Sequence, residues 1–347
     1  MAEGSQQAVI DSDLDRIPLP EYEEEDSYLP SKDDASLDFY EACADGDVDE
    51  LASYIEEEHP DPRDLQYGLE HAAFAGNLAT IRYLLERGVR LHRNAFHRKL
   101  SVTETTGGPK SQTIFHQAVP RVIQILELYL EFGWHPNQHW TDAASGTRDV
   151  FILECGSVLM EKALVEWLLD HGADPTTHTP IPIVDLAAMC HQVEVLDLLL
   201  SRGACVTEAR PLQRLAILMG GRVGGGTVPP GPDPFGRFKT AEWCLDHGFD
   251  IHAVANVKDR CGIPIGMAEV PATALGLACA MLDFEYAEWL FDHGADPDTA
   301  KEIGPKLFGV FSNKANDQYI EFVRNLCTKR DSKQLDESSA DDMSQQQ

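Results

Sequence analysis

Apolar residues along most of this chain fall three and four positions apart, in short blocks that each stop at a glycine. In Ile81–Gly88, for example, Ile81, Leu84 and Leu85 share one face of a helix. Three blocks read almost alike: "VEWLLDHGADP" (Val165–Pro175), "AEWCLDHGFDI" (Ala241–Ile251) and "AEWLFDHGADP" (Ala287–Pro297). Looser copies are "IRYLLERGVRL" from Ile81, "LELYLEFGWHP" from Leu126 and "VLDLLLSRGAC" from Val195. The closing glycines are Gly88, Gly133, Gly172, Gly203, Gly248 and Gly294, in steps of 45, 39, 31, 45 and 46 residues. The pattern predicts amphipathic helices, each ended by a glycine in the left-handed conformation that residues with a Cβ adopt at a cost. Recurrence at such steps marks a stack of similar units.

A second, shorter helix precedes most copies and is rich in alanine: "EACADGD" from Glu41, "EHAAFAGN" from Glu70, "DLAAMCHQ" from Asp185 and "GLACAMLD" from Gly276. Small residues let two helices approach closely, and alanine carries no penalty in helix propensity. Gly46 and Gly76 can turn the chain between the two helices.

With these residues in view the chain resembles the ankyrin-repeat family. "TIFHQA" (Thr113–Ala118) is similar to the family's TPLHxA opening, with Ile114 in place of proline, and "TALGLA" (Thr273–Ala278) follows it more loosely. "HAAFAGNLATIRYLLERG" from His71 to Gly88 matches the family spacing position by position. A threonine before a helix has a physical task, since its hydroxyl accepts from an orphan backbone N–H.

The resemblance implies an all-α fold, a solenoid of stacked helix–turn–helix repeats with long inter-repeat loops, over residues 35–327. Seven repeats are counted. The first, around Phe39–Ile55, lacks the terminal glycine, and the fourth departs in its first helix ("FILECGSVLMEKA"). A degenerate helix pair from Pro305 to Leu326 closes the stack. Residues 1–34 and 328–347 are expected to be disordered tails.

Steps of 45 and 46 exceed the ~33-residue ankyrin unit by roughly a dozen residues. The extra residues lie at Arg93–Gln112, Gln138–Arg148, Gly220–Gly236 and Ala253–Pro271. The third of these, "GGRVGGGTVPPGPDPFG", has the composition of a phosphate-binding loop. It has no lysine between Gly226 and Thr227, where the pattern requires one. Pro230, Pro232 and Pro234 also prevent the helix that should open after Thr227. The stretch is therefore predicted to be a lengthened turn between the two helices of repeat six.

Charge sharpens the reading of the first insert. The chain carries a formal net charge of −30, with −9 in residues 1–34 and −2 in residues 328–347. Against that background, Arg93–Gln112 holds Arg93, Arg98, Lys99 and Lys110 against Glu104 alone, a net +3. A basic island on an acidic body suits a partner with an acidic segment, or the chain's own N-terminal tail. The acidity of the rest is unsuited to nucleic acid and to anionic membranes. No apolar run approaches the ~18 residues of a membrane span, and the start has no basic region followed by an apolar core. Eight scattered cysteines without a CxxC pair point to reduced thiols, hence to the cytoplasm or nucleus.

The candidate chemistry is sparse. The recurring Asp-His pairs (Asp170–His171, Asp246–His247, Asp292–His293) are adjacent on helices, so their side chains diverge and are assigned to surface and capping roles. His135 and His139 have metal-like spacing but lie in a loop, with no cysteine or acid nearby to complete four ligands. Trp167, Trp243 and Trp289 share one register, which fits packing between successive second helices. Trp134 and Trp140, in "GWHPNQHW", follow a helix end and are placed with Arg93, Arg98 and Lys99 as partner contacts, because exposed tryptophans anchor interfaces.

The reading is a non-enzymatic scaffold or adaptor, expected as a monomer without metal or cofactor, that binds a protein partner. The resemblance implies recognition through loop tips and the concave face of the first helices. The alternative is a substrate-recognition or regulatory subunit of a larger enzyme complex.

Overall fold

The computed structural model describes residues 34–91, 93–99, 111–138, 151–176, 181–217, 236–256, 271–301 and 313–344. The chain forms two compact units, residues 1–157 with 170–173 and residues 158–169 with 174–347. The division falls in the fourth repeat, whose first helix breaks the alanine pattern. That helix, α6 (Gly156–Leu159), is a single turn before α7 (Lys162–Asp170).

In the first unit, α1 (Asp34–Asp45) pairs with α2 (Val48–Glu58), and α3 (Pro62–Ala75) pairs with α4 (Leu78–Glu86). In the third repeat a 3-10 turn, Ile114–His116, replaces the first helix ahead of α5 (Val119–Glu131). The helix starts have local causes. Asp47 accepts from the Asp49 and Glu50 amides, and Asp61 accepts from the Arg63 and Asp64 amides with Pro62 opening α3.

The alanine-rich helices lie close together, as their composition requires. A Cβ on Gly68 of α3 would stand 2.8 Å from the Cys43 sulfur of α1. The turns also bond from repeat to repeat. The Asn77 side-chain Nδ2 donates to the Ala44 carbonyl, and Gln117 Nε2 donates to the Ala73 and Phe74 carbonyls at 2.7 and 3.2 Å. Each such side chain adds a donor to carbonyls at the end of the preceding repeat's first helix, where the helix itself supplies few.

The six closing glycines have φ between 78° and 99°. In the first repeat, which lacks the glycine, His59 takes the left-handed position with φ 53°. The turn is therefore conserved in geometry where its preferred residue is missing.

In the second unit the pairs are α8 (Ile183–Met189) with α9 (Val193–Ser201), α10 (Pro211–Ile217) with α11 (Arg237–Asp246), and α12 (Ala274–Ala280) with α13 (Phe284–Asp292). First helices pack in the row α8, α10, α12, and α9 meets α11. Every residue of α12 is buried. Asp185 of α8 is also buried, which its bonds make tolerable: it accepts from the Arg210 amide at 2.7 Å and from Arg214 Nε at 3.2 Å. The glycine-rich stretch connects α10 to α11, the two helices of repeat six, as its sequence position indicates. All of it except Gly236 lies outside the described residues.

Two of the three tryptophans in register meet the preceding second helix, as expected. Trp243, 6% exposed, donates its indole N–H to Asp197 of α9 at 2.7 Å. Trp289 stacks on Tyr286 and reaches Phe238 of α11 at 6.0 Å. The adjacent histidines cap helices: His247 and His293 place Nδ1 at 2.8 and 2.7 Å from the carbonyls of Trp243 and Trp289.

The C-terminal expectation needs correction. The chain does not become a disordered tail at 328, and the described part of the closing pair is one helix. Helix α14 runs from Asn313 to Ser344 and packs on α12 and α13. Net charge concealed these contacts, because Lys329, Arg330 and Lys333 individually meet acids of repeat seven. Residues 302–312 and the acidic residues 1–33 lie outside the described residues.

Leu84 is fully buried, so Leu84→Ala should cost about 2–5 kcal/mol in thermal or denaturant unfolding. Deleting Gly224–Pro232 should cost much less, because loop-closure entropy changes slowly with length. A larger loss of melting temperature from the deletion would overturn that assignment.

Candidate functional site

The first insert is built on a hairpin. Strand β1 (His97–Lys99) pairs antiparallel with β2 (Ser111–Thr113), in the register His97 to Thr113, Arg98 to Gln112 and Lys99 to Ser111. Arg93 opens a short 3-10 turn, Arg93–Ala95, that leads into it. The structure thus gathers Arg93, Arg98 and Lys99 onto seven consecutive described residues with a defined backbone. Residues 100–110, Lys110 among them, lie outside the described residues.

The hairpin is rooted in the first unit's core. Phe96 is 4% exposed and meets Tyr129 edge-on at 4.9 Å and Trp134 at 5.3 Å. The Tyr129 hydroxyl donates to the Ala95 carbonyl at 3.3 Å. Burial, and next the nearby Glu70 carboxylate, push its pKa well above the usual tyrosine value, so it stays a donor. The Phe96 carbonyl accepts from the Ile114 amide and from the Thr113 hydroxyl, at 3.1 and 3.0 Å. The same hydroxyl accepts from the Phe115 amide at 3.3 Å. One threonine therefore closes the hairpin and opens the next repeat.

The second unit repeats the device. Strand β3 (Ala255–Asn256) pairs antiparallel with β4 (Pro271–Ala272). Thr273 follows and accepts from the Gly276 amide at 3.2 Å. Gln213 fastens the near side by donating to the Ala253 carbonyl at 2.6 Å. The intervening residues 257–270 lie outside the described residues. Both long inserts that end at a TPLHxA-like threonine are thus drawn into antiparallel pairs at their bases.

The tryptophans separate. Trp134 is 4% exposed and belongs to the hairpin's root, so it is a core residue and not the exposed anchor expected of it. Its position after a helix end suggested a loop, but the chain turns inward there: the Trp134 amide donates to the Tyr129 carbonyl at 3.0 Å. Trp140 lies outside the described residues, as does His139. The root itself, Phe96 with Thr113, was missed in the sequence. Its signal was the adjacent apolar pair Ala95–Phe96 in an insert whose other large apolar residues, Leu100 and Val102, stand singly.

No family model matches the chain, and no curated protein matches it. Among solved structures it is similar to the human ASB11 ankyrin repeat domain, at 15% identity over 82% of this chain and 96% of that one, with a TM-score of 0.31. The fold reading rests on features already described: paired helices, left-handed closing glycines and hairpins between pairs. The architecture is ankyrin-like. Among the described residues no helix is long and apolar enough to cross a membrane, and no group of three or more His, Cys, Asp or Glu could hold a metal ion.

If Phe96 roots the hairpin, Phe96→Ala should destabilise the chain by about 3–5 kcal/mol. Amide exchange at Lys99 and Thr113 should accelerate more than exchange within α3. Equal acceleration in both would mean that Phe96 is ordinary core.

Proposed function

We propose that the chain is a non-catalytic protein-binding module whose first hairpin docks an acidic segment of a partner. The observation that carries this reading is the position of Arg98 and Lys99 on a paired strand with a buried root, with Arg93 in the turn that leads into it. A backbone already fixed loses less entropy when it binds. The surrounding charge adds contrast, since the whole chain is −30 while this insert is +3. Such a field repels nucleic acid, and the basic hairpin offers an acidic segment a local site of opposite sign at short range.

The buried thiols also fit a binding role. Burial pushes the Cys43 and Cys244 thiols up to about 12, so they remain protonated and weakly nucleophilic at physiological pH. Iodoacetamide at pH 8 should leave both unmodified in the folded chain and label them once it unfolds. Rapid labelling of either in the native state would contradict their burial.

Replacing Arg93, Arg98 and Lys99 together by serine should preserve the helical circular-dichroism signal and melting temperature while abolishing capture of the main partner. Wild-type capture should weaken as salt is raised, and Trp140→Ala tests the neighbouring insert. Full partner capture by both variants would move the binding surface elsewhere, first to the faces of the first helices.

A further inference from the structure

The apolar contact of α14 ends well before the helix does. Tyr319, Val323, Leu326 and Cys327 are buried, and the Tyr319 hydroxyl donates to the Ala300 carbonyl. From 328 to 334 no residue is buried, and the contacts with repeat seven are made by cations. Lys329 Nζ meets Glu288 at 3.0 Å, and Lys333 Nζ meets Asp292 at 3.4 Å while lying 5.0 Å from the Phe291 ring. Arg330 Nη1 bridges Asp298 at 2.6 Å and Asp296 at 3.2 Å.

The spacing is matched on the two helices. Glu288 and Asp292 stand four apart on α13, as Lys329 and Lys333 do on α14, so one turn of each helix meets the other rung to rung. A cleft of about 440 Å³ remains between them, lined by Phe291, Ala295, Pro297, Arg330, Lys333 and Gln334. Two further groups share this charge cluster. Lys301 holds Asp298 at 2.7 Å, and Asp331 accepts from Arg330 Nη2 at 3.0 Å.

We propose that residues 329–334 are an autoinhibitory strap: with its own cations the chain covers an acidic face of repeat seven that, once freed, takes a cationic helical segment of a partner protein. The seated strap shows the chemistry that this face accepts, namely cations at positions i, i+1 and i+4 of a helix, with the last one over an aromatic ring. Its hold is weak enough to yield. Exposed ion pairs contribute little each and are screened by salt, whereas a chain of net charge −30 draws cationic partners from a distance. The covalent link gives the strap a high effective concentration, so a competitor must carry the same spacing to displace it. This face lies in the second unit and is independent of the basic hairpin in the first.

The test compares full-length wild type with a Lys329→Ser, Arg330→Ser, Lys333→Ser variant. The probe is an alanine-based helical peptide of about 20 residues carrying Lys-Arg-Asp-Ser-Lys at its centre. The variant should keep the wild-type circular-dichroism spectrum and bind the probe roughly tenfold more tightly, the combined scale of a few exposed ion pairs. The gain should shrink between about 50 and about 300 mM NaCl. It should vanish when Asp292→Asn and Asp298→Asn are added, or when the peptide's cations are moved out of register. Equal affinity in the two chains, or a gain that survives either change, overturns the proposal. Arg330→Ser alone, which leaves both lysine contacts, gives the same comparison at smaller amplitude should the triple variant fold poorly.

Discussion

No helix of this chain can bury its apolar stripe without a neighbour. A block such as Ile81–Leu85 is one face of a short helix, and nucleating such a helix alone is unfavourable in water. Stability comes when the stripe is covered by a partner helix and that pair by the next pair. The demand for close approach then explains the composition of the first helices. Alanine and glycine occur where neighbours meet, as at Gly68 against Cys43, and α12 can be buried along its whole length.

The same constraint assigns work to the turns. Stacking removes helix ends from water, so their carbonyls and amides need partners inside the protein. Asn77 and Gln117 supply them from the next repeat, and Gln213 does the same for the Ala253 carbonyl in the turn after α11. Thr113 and Thr273 supply them at the starts of repeats. A hairpin that leaves the stack just before such a threonine inherits an anchored end, which makes an insert at that point a usable platform. Loop-closure cost rises slowly with length, so the repeat can lengthen there without losing its own contacts.

Much of this was legible in the sequence because it is written in local patterns. Helical periodicity located the pairs, and the closing glycines located the turns. Three features escaped for physical reasons. Trp134 and Phe96 belong to the same buried cluster, but they are brought together by a turn after α5 that periodicity does not encode. His59 occupies a left-handed position that composition assigns to glycine. The docking of 329–333 on repeat seven rests on distant pairs, such as Lys329 with Glu288, and a net charge summed over a segment cannot show which charges meet.

Charge therefore works at two levels in this molecule. At long range the excess of 58 acids over 28 bases sets a field that any partner senses before contact. At short range the bases are placed selectively. Arg214 neutralises the buried Asp185, and Arg237 holds Asp283 at the start of α13. Arg330 lies across two aspartates of the last repeat. Hydrogen bonds from Lys301 and then Arg330 hold the Asp298 carboxyl below its usual range. Its contribution is thus present above the ordinary aspartate pKa and is lost only as pH falls through the lowered value. At neutral pH the contact of residues 329–333 with repeat seven therefore responds to salt and to competing cations, not to small changes in pH. A weak exposed contact with that response is suited to exchange, whereas the buried Asp185–Arg214 pair is suited to holding two helices in register.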